Sequence, residues 1–252
     1  MSNSFKAKNI VNDLFLYVEG RMNKKITIMA CWDGGDYYPP VYVNRLFDAC
    51  KRNTSIPFDF VLYAGHLAEL PGRSDAINPD IRIVYTGLPS WWCGMPVWQR
   101  NPPGVLTDTI LYLDIDQVII GSLDDLIRYP SDLAGMKDYP AAACPRGCER
   151  DVCISTMLIR NGAGAIVWDE YIRAGKPVWD VVSGQKGPLP MAAQGLVNQH
   201  CSPDLFPENL VVSYKGTYLK RGLPDDCRIV AFHGQPKQGK CLHEKFVQEH
   251  WI

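Results

Sequence analysis

Seven short runs of apolar and β-branched residues punctuate the chain, at 26–31 (ITIMAC), 58–64 (FDFVLYA), 81–85 (IRIVY), 109–114 (TILYLD), 153–160 (CISTMLIR), 209–214 (NLVVSY) and 228–233 (RIVAFH). Their length and composition predict strands. Between several of them the apolar positions recur instead with helical period, at 41–52 (VYVNRLFDACKR), 164–175 (GAIVWDEYIRAG) and 192–201 (AAQGLVNQHC). Strands that alternate with helices predict an α/β fold with a mostly parallel, mixed central sheet flanked by helices. The segment 32–40 (WDGGDYYPP) reads as the loop after the first strand, and the Pro- and Gly-rich stretches 71–104 and 184–190 read as long functional loops, because strand patterns resume beyond them. No repeat or low-complexity segment divides the chain, which predicts one domain over residues 1–252.

Composition narrows the class. The 252 residues carry 26 basic and 27 acidic side chains, so a protein that coats a polyanion is not indicated. Ile10, Val11, Leu14, Phe15 and Val18 predict a helix within 1–25, but Asp13 and Glu19 interrupt the apolar core a signal peptide needs, and no run is long enough to span a membrane. Nine cysteines, odd in number and scattered, read as reduced thiols in a cytoplasmic protein.

The fourth run ends in Asp114-Ile115-Asp116. Open α/β sheets bind ligands beyond the carboxyl ends of their strands. In an extended segment residues two apart point the same way, so the two carboxylates are expected side by side. Two such charges repel unless a cation lies between them, and Mg²⁺ or Mn²⁺ with hard oxygen ligands answers that need. A solvated strand end with turn-forming aspartates is the plain alternative. A phosphatase-like phosphotransferase is another, since LDIDQV fits four apolar residues followed by D-x-D-x-[TV]; that fold usually opens on its D-x-D strand, whereas three predicted strands precede this one. GQPKQGKC (234–241) imitates a phosphate-binding loop but offers Cys241 where a hydroxyl is required. Cys144, Cys148 and Cys153 have no usual zinc spacing.

Taken in order, LYLDIDQVIIGSLDDL, AAQGLVNQ and FHGQPK resemble the retaining GT-A glycosyltransferases of the glycogenin-like and LgtC-like class, family 8 with its bacterial and phage relatives. The resemblance runs from about residue 26 to residue 240. It implies a Rossmann-like GT-A fold and transfer of a sugar, with retention, from a nucleotide diphosphate sugar such as a UDP-sugar. The hydroxyl acceptor could be a glycan, a protein or a modified DNA base; for the last, a local basic patch of Lys215, Lys220 and Arg221 would give weak backbone contact. The resemblance makes Asp114, Asp116 and His233 the ligands of Mn²⁺ or Mg²⁺. It places the donor against Ala30, Cys31, Asp33, Tyr38, Ile115, Gly234 and Lys237, with Lys237 on the diphosphate. Trp91 and Trp92, in a Trp-dense loop, are candidates for stacking on the acceptor. Gln194 and position 193 stand at the reacting carbon.

Three positions depart from that family. Its G-D-Q-G-L-L-N element reads AAQGLVN here, so Ala193 replaces an aspartate while Gln194, Gly195 and Asn198 remain. A sugar-contacting Asn is missing from Ile154-Ser155-Thr156-Met157, and Gly94 stands where relatives often carry lysine. A natural variant that works through Gln194, a binding protein without turnover, and an enzyme inactivated at Ala193 all fit these departures.

Overall fold

In the computed structural model, residues 24–138, 152–174 and 192–252 are described. The predicted helix within 1–25, Cys144 and Cys148 lie outside them, apart from Lys24 and Lys25. All seven predicted runs form strands: β1 (Ile26–Trp32), β2 (Phe58–Ala64), β3 (Arg82–Tyr85), β4 (Thr109–Leu113), β7 (Val152–Arg160), β9 (Val211–Ser213) and β10 (Ile229–Ala231). Three further strands, β5 (Gln117–Ile119), β6 (Leu133–Lys137) and β8 (Asp204–Leu205), carry no such run. Among the described residues the α-helices of four residues or more are α1 (Pro40–Asn53), a single turn α2 (Asp124–Ile127), α3 (Ile166–Ala174), α4 (Ala192–His200) and α5 (Lys245–His250).

The strands make a seven-stranded sheet in the order β3-β2-β1-β4-β7-β6-β8 and a three-stranded sheet in the order β5-β10-β9. Among the described strands of the larger sheet only β7 runs against the rest, pairing antiparallel with both β4 and β6. Because the side chains of β1 alternate, one strand feeds two cores. Ile28, Ala30 and Trp32 pack with Val43, Leu46, Phe47 and Cys50 of α1 on one face. Met29 joins Tyr63, Ile110 and Tyr112 on the other, under Trp92, Trp98, Val167 and Leu196. A third cluster, with Val118, Val212, Val230, Phe232, Phe246 and Trp251, lies beneath the smaller sheet.

Helix α1 begins with Pro40 in its first turn, where a missing N–H costs nothing, and ends with Lys51 and Arg52, whose charges suit the carbonyl end. Beside it, Gly34 adopts φ +84°, and a Cβ there would overlap the backbone of Ala68, so the loop after β1 closes only with glycine.

Candidate functional site

β1 and β4 are parallel neighbours, and the chain reaches β2 on one side of β1 and β4 on the other, so a crevice opens beyond their carboxyl ends. The register pairs Thr27 with Ile110 and Met29 with Tyr112, which continued by two residues sets Cys31 beside Asp114. β4 stops at Leu113, and β5 begins at Gln117 in the other sheet. Asp114-Ile115-Asp116 is therefore the connection between the two sheets rather than the extended strand end expected from the sequence. Two backbone–backbone hydrogen bonds help to fasten it: the Asp114 amide donates to the Ser155 carbonyl at 2.8 Å, and the Phe232 amide donates to the Asp116 carbonyl at 3.0 Å.

A cleft of about 580 Å³ lies over this turn. Its walls include Cys31, Asp33, Tyr37, Tyr38, Asp114, Ile115, Asp116, Gly234 and Lys237. Asp116 Oδ2 accepts from the Tyr38 hydroxyl at 3.0 Å and is ion-paired with Lys237 Nζ, which also donates to the Phe232 carbonyl at 2.9 Å. Asp114 Oδ1 accepts from the Tyr112 hydroxyl at 3.1 Å, and that hydroxyl meets Cys31 Sγ at 2.9 Å. Burial, then the charge of Asp116, holds the Asp114 carboxyl well above the usual carboxylate range. Burial and the same carboxylate push the Tyr38 phenol up, which keeps it a proton donor. His233, at the end of β10, is lowered to about 4, chiefly by burial; Asp116 opposes the shift, and Lys237 and Lys215 add to it.

Two partly buried carboxylates with one lysine on one of them make a hard, oxygen-rich donor set that fits Mg²⁺ or Mn²⁺. Such ions commonly take one or two carboxylates and fill the remaining positions with substrate phosphate and water. Among the described residues no group of three or more His, Cys, Asp or Glu side chains is placed to hold a metal.

The other predicted residues fall in different places. Asp33 lines the cleft while its Oδ1 accepts from the Gly35 amide at 2.8 Å, closing the turn. Ala30 is fully buried within β1, behind the cleft. Trp92 is 3% exposed and stacks on Tyr171 at 5.4 Å, so it anchors its loop in the core instead of presenting a face to an acceptor. Trp91 belongs to the same 3-10 turns, Ser90–Trp98, but its side chain lies outside the described residues. Ala193 packs against the apolar cluster of Leu196 and Val197. Gln194 is buried, and its Nε2 donates to Asp138 Oδ2 at 3.0 Å. Neither Ala193 nor Gln194 is in the cleft wall. Cys153 is buried with its thiol on Ser155 Oγ at 3.3 Å, part of the strand interior.

Several residues escaped the sequence reading. Tyr112 was the most accessible of them, because it lies two residues before Asp114 on the same side of β4. Gln238 is fully buried and donates to the Ile115 carbonyl at 3.1 Å, and Gln117 donates to the Ser155 carbonyl at 2.6 Å and to Thr156 Oγ1 at 2.7 Å. Both brace the D-x-D turn from partners more than thirty residues away in sequence, which leaves no local signal. Asp138 follows β6, a strand that no apolar run announces. Gly94 also finds a reason: a Cβ there would come within 3.2 Å of the Tyr112 hydroxyl and 3.3 Å of Cys31 Sγ, so a side chain at 94 would crowd the group that holds Asp114.

No protein-family model matches this chain, and no curated protein is similar to it in sequence. Solved structures do share its fold. The galactosyltransferase LgtC, determined with donor and acceptor sugar analogues, superposes with a TM-score of 0.58 at 13% identity over 89% of this chain and 96% of its own. The glycosyltransferase GlyE of Streptococcus pneumoniae TIGR4 gives a TM-score of 0.53 at 16% identity, over 86% of this chain and 56% of its own. The bifunctional glycosyltransferase WbbM gives 0.50 at 14% identity, over 85% of this chain and 46% of its own. This chain thus spans about half the length of GlyE and nearly all of LgtC. The architecture is the GT-A fold.

Proposed function

We propose that this protein is a metal-dependent glycosyltransferase that moves a sugar from a nucleotide diphosphate sugar, a UDP-sugar, to a hydroxyl acceptor with retention at the anomeric carbon. The observation that carries the reading is the pair Asp114 and Asp116 facing a cleft at the switch point of a GT-A sheet, with Lys237 on one of them.

Asp114 and Asp116 would hold Mn²⁺ or Mg²⁺. The ion would neutralise negative charge on the diphosphate as it leaves. Lys237 supplies a further positive charge at the same wall, and positive groups set in place before reaction stabilise that charge without reorganising. Tyr38 holds Asp116 from the side of the β1 loop, and Tyr37 and Tyr38 present ring surface to a nucleobase. Gln194 and Asp138 bring an amide and a carboxylate together at 3.0 Å behind the cleft wall, so they bear on the sugar by positioning what lines the cleft. The acceptor is a compound that offers a hydroxyl; glycans, proteins and modified nucleobases all do.

Ala193 favours a second reading, a nucleotide-sugar-binding protein without turnover. Incubating the purified chain with UDP-sugars and Mn²⁺ separates the two. Release of UDP by the unaltered chain, abolished in Asp116→Asn, supports transfer; tight binding with no release supports the second. If the chain is an inactivated enzyme, Ala193→Asp raises release by a factor of about 10²–10³, the usual worth of one group that stabilises transition-state charge. Equal rates in both forms remove inactivation from consideration.

A further inference from the structure

β9 and β10 run parallel, with Val211, Val212 and Ser213 opposite Ile229, Val230 and Ala231. Their chains stay together beyond the strands. The ring of Tyr214 stacks on Phe232 at 4.4 Å, and the Ser213 hydroxyl accepts from the Gly216 amide at 3.0 Å, turning the chain away after Lys215. The same register continued sets Lys215 beside His233. Its ammonium comes to rest against Gly234, where a Cβ would lie 3.3 Å from Nζ. Gly234 has φ +61° and forms part of the cleft wall.

Lys215 is partly buried, yet it pairs with no carboxylate among the described residues. Lys237 flanks the same segment, bonded to the Phe232 carbonyl. A partly desolvated cation without a counterion costs free energy unless an anion offsets it. Charge balance indicates which anion. A divalent ion on Asp114 and Asp116 cancels their two negative charges, and Lys237 and Lys215 then remain as two positive charges beside Gly234. A diphosphate brings a separate phosphate group to each lysine and about three negative charges, whereas a monophosphate brings about two, all on one group.

We propose that Lys215 is a second phosphate-binding cation of the donor site, set beside Gly234 with Lys237, and that through it the site prefers nucleoside diphosphates to monophosphates. The proposal rests on the cleft being a nucleotide-sugar site. Among the described residues Lys215 has no side-chain hydrogen bond or ion pair whose loss would unfold the protein, so substitution reads out on binding.

The test is calorimetric titration of UDP and UMP, in saturating Mn²⁺, into the unaltered chain, Lys215→Met and Lys215→Arg, with thermal melting as a folding control. Loss of one charge-assisted contact predicts that Lys215→Met weakens UDP binding at least about tenfold. UMP binding stays unchanged, and Lys215→Arg recovers most of the loss because it keeps the charge. If Lys215→Met binds UDP as tightly as the unaltered chain, or loses UDP and UMP equally, the assignment of Lys215 is wrong while the nucleotide site stands. If the unaltered chain itself binds no UDP, the cleft is not a UDP-sugar site and both readings fall together.

Discussion

Lys237 Nζ has four neighbours with energetic weight: the carboxylate of Asp116, the Phe232 carbonyl at 2.9 Å and the rings of Tyr38 at 5.1 Å and Tyr37 at 5.9 Å. The lysine and aspartate side chains are only 8% and 13% exposed, which distinguishes this pair from a surface salt bridge. Lys237 therefore has a role in the free protein and, under the proposed function, a second one in the complex. Lys237→Ala should lower unfolding stability by about 3 kcal/mol or more, because it strands Asp116 next to Asp114 without a counter-charge. UDP affinity should also fall at least about tenfold, as one charged contact to phosphate is lost. Urea denaturation and calorimetry measure the two effects separately. A lysine that merely faced solvent would leave both unchanged. Added Mn²⁺ should restore part of the variant's stability, since a cation on the aspartates replaces the missing ammonium.

α2 is one turn long, and it is held from outside. Asp124 accepts from the Thr54 hydroxyl at 2.7 Å, from the Ser55 amide at 3.1 Å and from the Ser55 hydroxyl, so it ties the end of α1 to the turn that follows β5. Burial pushes the Asp124 carboxyl up, but the bonds from Ser55 and Thr54 outweigh it, and the net shift is downward. A carboxylate lowered by folding contributes stability above its unfolded value of about 3.9 and loses it as pH falls through the folded value. Asp124→Asn should therefore cost about 1.5–3 kcal/mol at pH 7. The gap to the unaltered protein should close as pH is taken below about 4, which denaturation at two pH values would show. The 3-10 turns over Ser90–Trp98 are held differently, by burial of Trp92, Met95 and Trp98. Trp92→Ala should cost about 3–5 kcal/mol in the same assay, the price of an unfilled aromatic site in a core. A small loss of stability with a large loss of acceptor affinity would return Trp92 to the acceptor site.

Across the molecule, the cleft is a seam: one wall comes from the ends of β1 and β4 in the larger sheet, the other from the loop after β10 in the smaller. A ligand that touches both walls binds only when the two sheets are assembled, so it stabilises the native state by linkage. UDP with Mn²⁺ at about a hundred times its dissociation constant should contribute about 2.7 kcal/mol. In a chain of this size each kcal/mol shifts the midpoint by about 2–4 °C, so melting should rise by roughly 5–10 °C. A chelator should remove the gain. A rise that survives chelation would mean that the nucleotide is held without the ion.

How much of this was legible along the chain depends on the range of the interactions involved. ITIMAC, FDFVLYA and TILYLD announce β1, β2 and β4 because strands covered on both faces are apolar residue after residue, and periodicity is a local property. For the same reason the spacing of Val43, Leu46, Phe47 and Cys50 announces α1, although its first residue, Pro40, reads as loop in the sequence. Asp114 and Asp116 stood out as two like charges closing such a run, and Lys237 and Gly234 through the late His-Gly-x-x-Lys segment. β5, β6 and β8 were not visible, being short or interrupted by Gly135 and Lys137, and stabilised by partners distant in sequence. The apolar face of Trp92 reads identically whether it meets a sugar or Tyr171, and only packing distinguishes them. Tertiary structure alone decided that the D-x-D turn links two sheets, that Lys237 rests on Asp116 and that Gln194 meets Asp138. It also placed Lys215 against Gly234. Each of these depends on strand order and register, which are set by long-range pairing energies that no window of neighbouring residues contains.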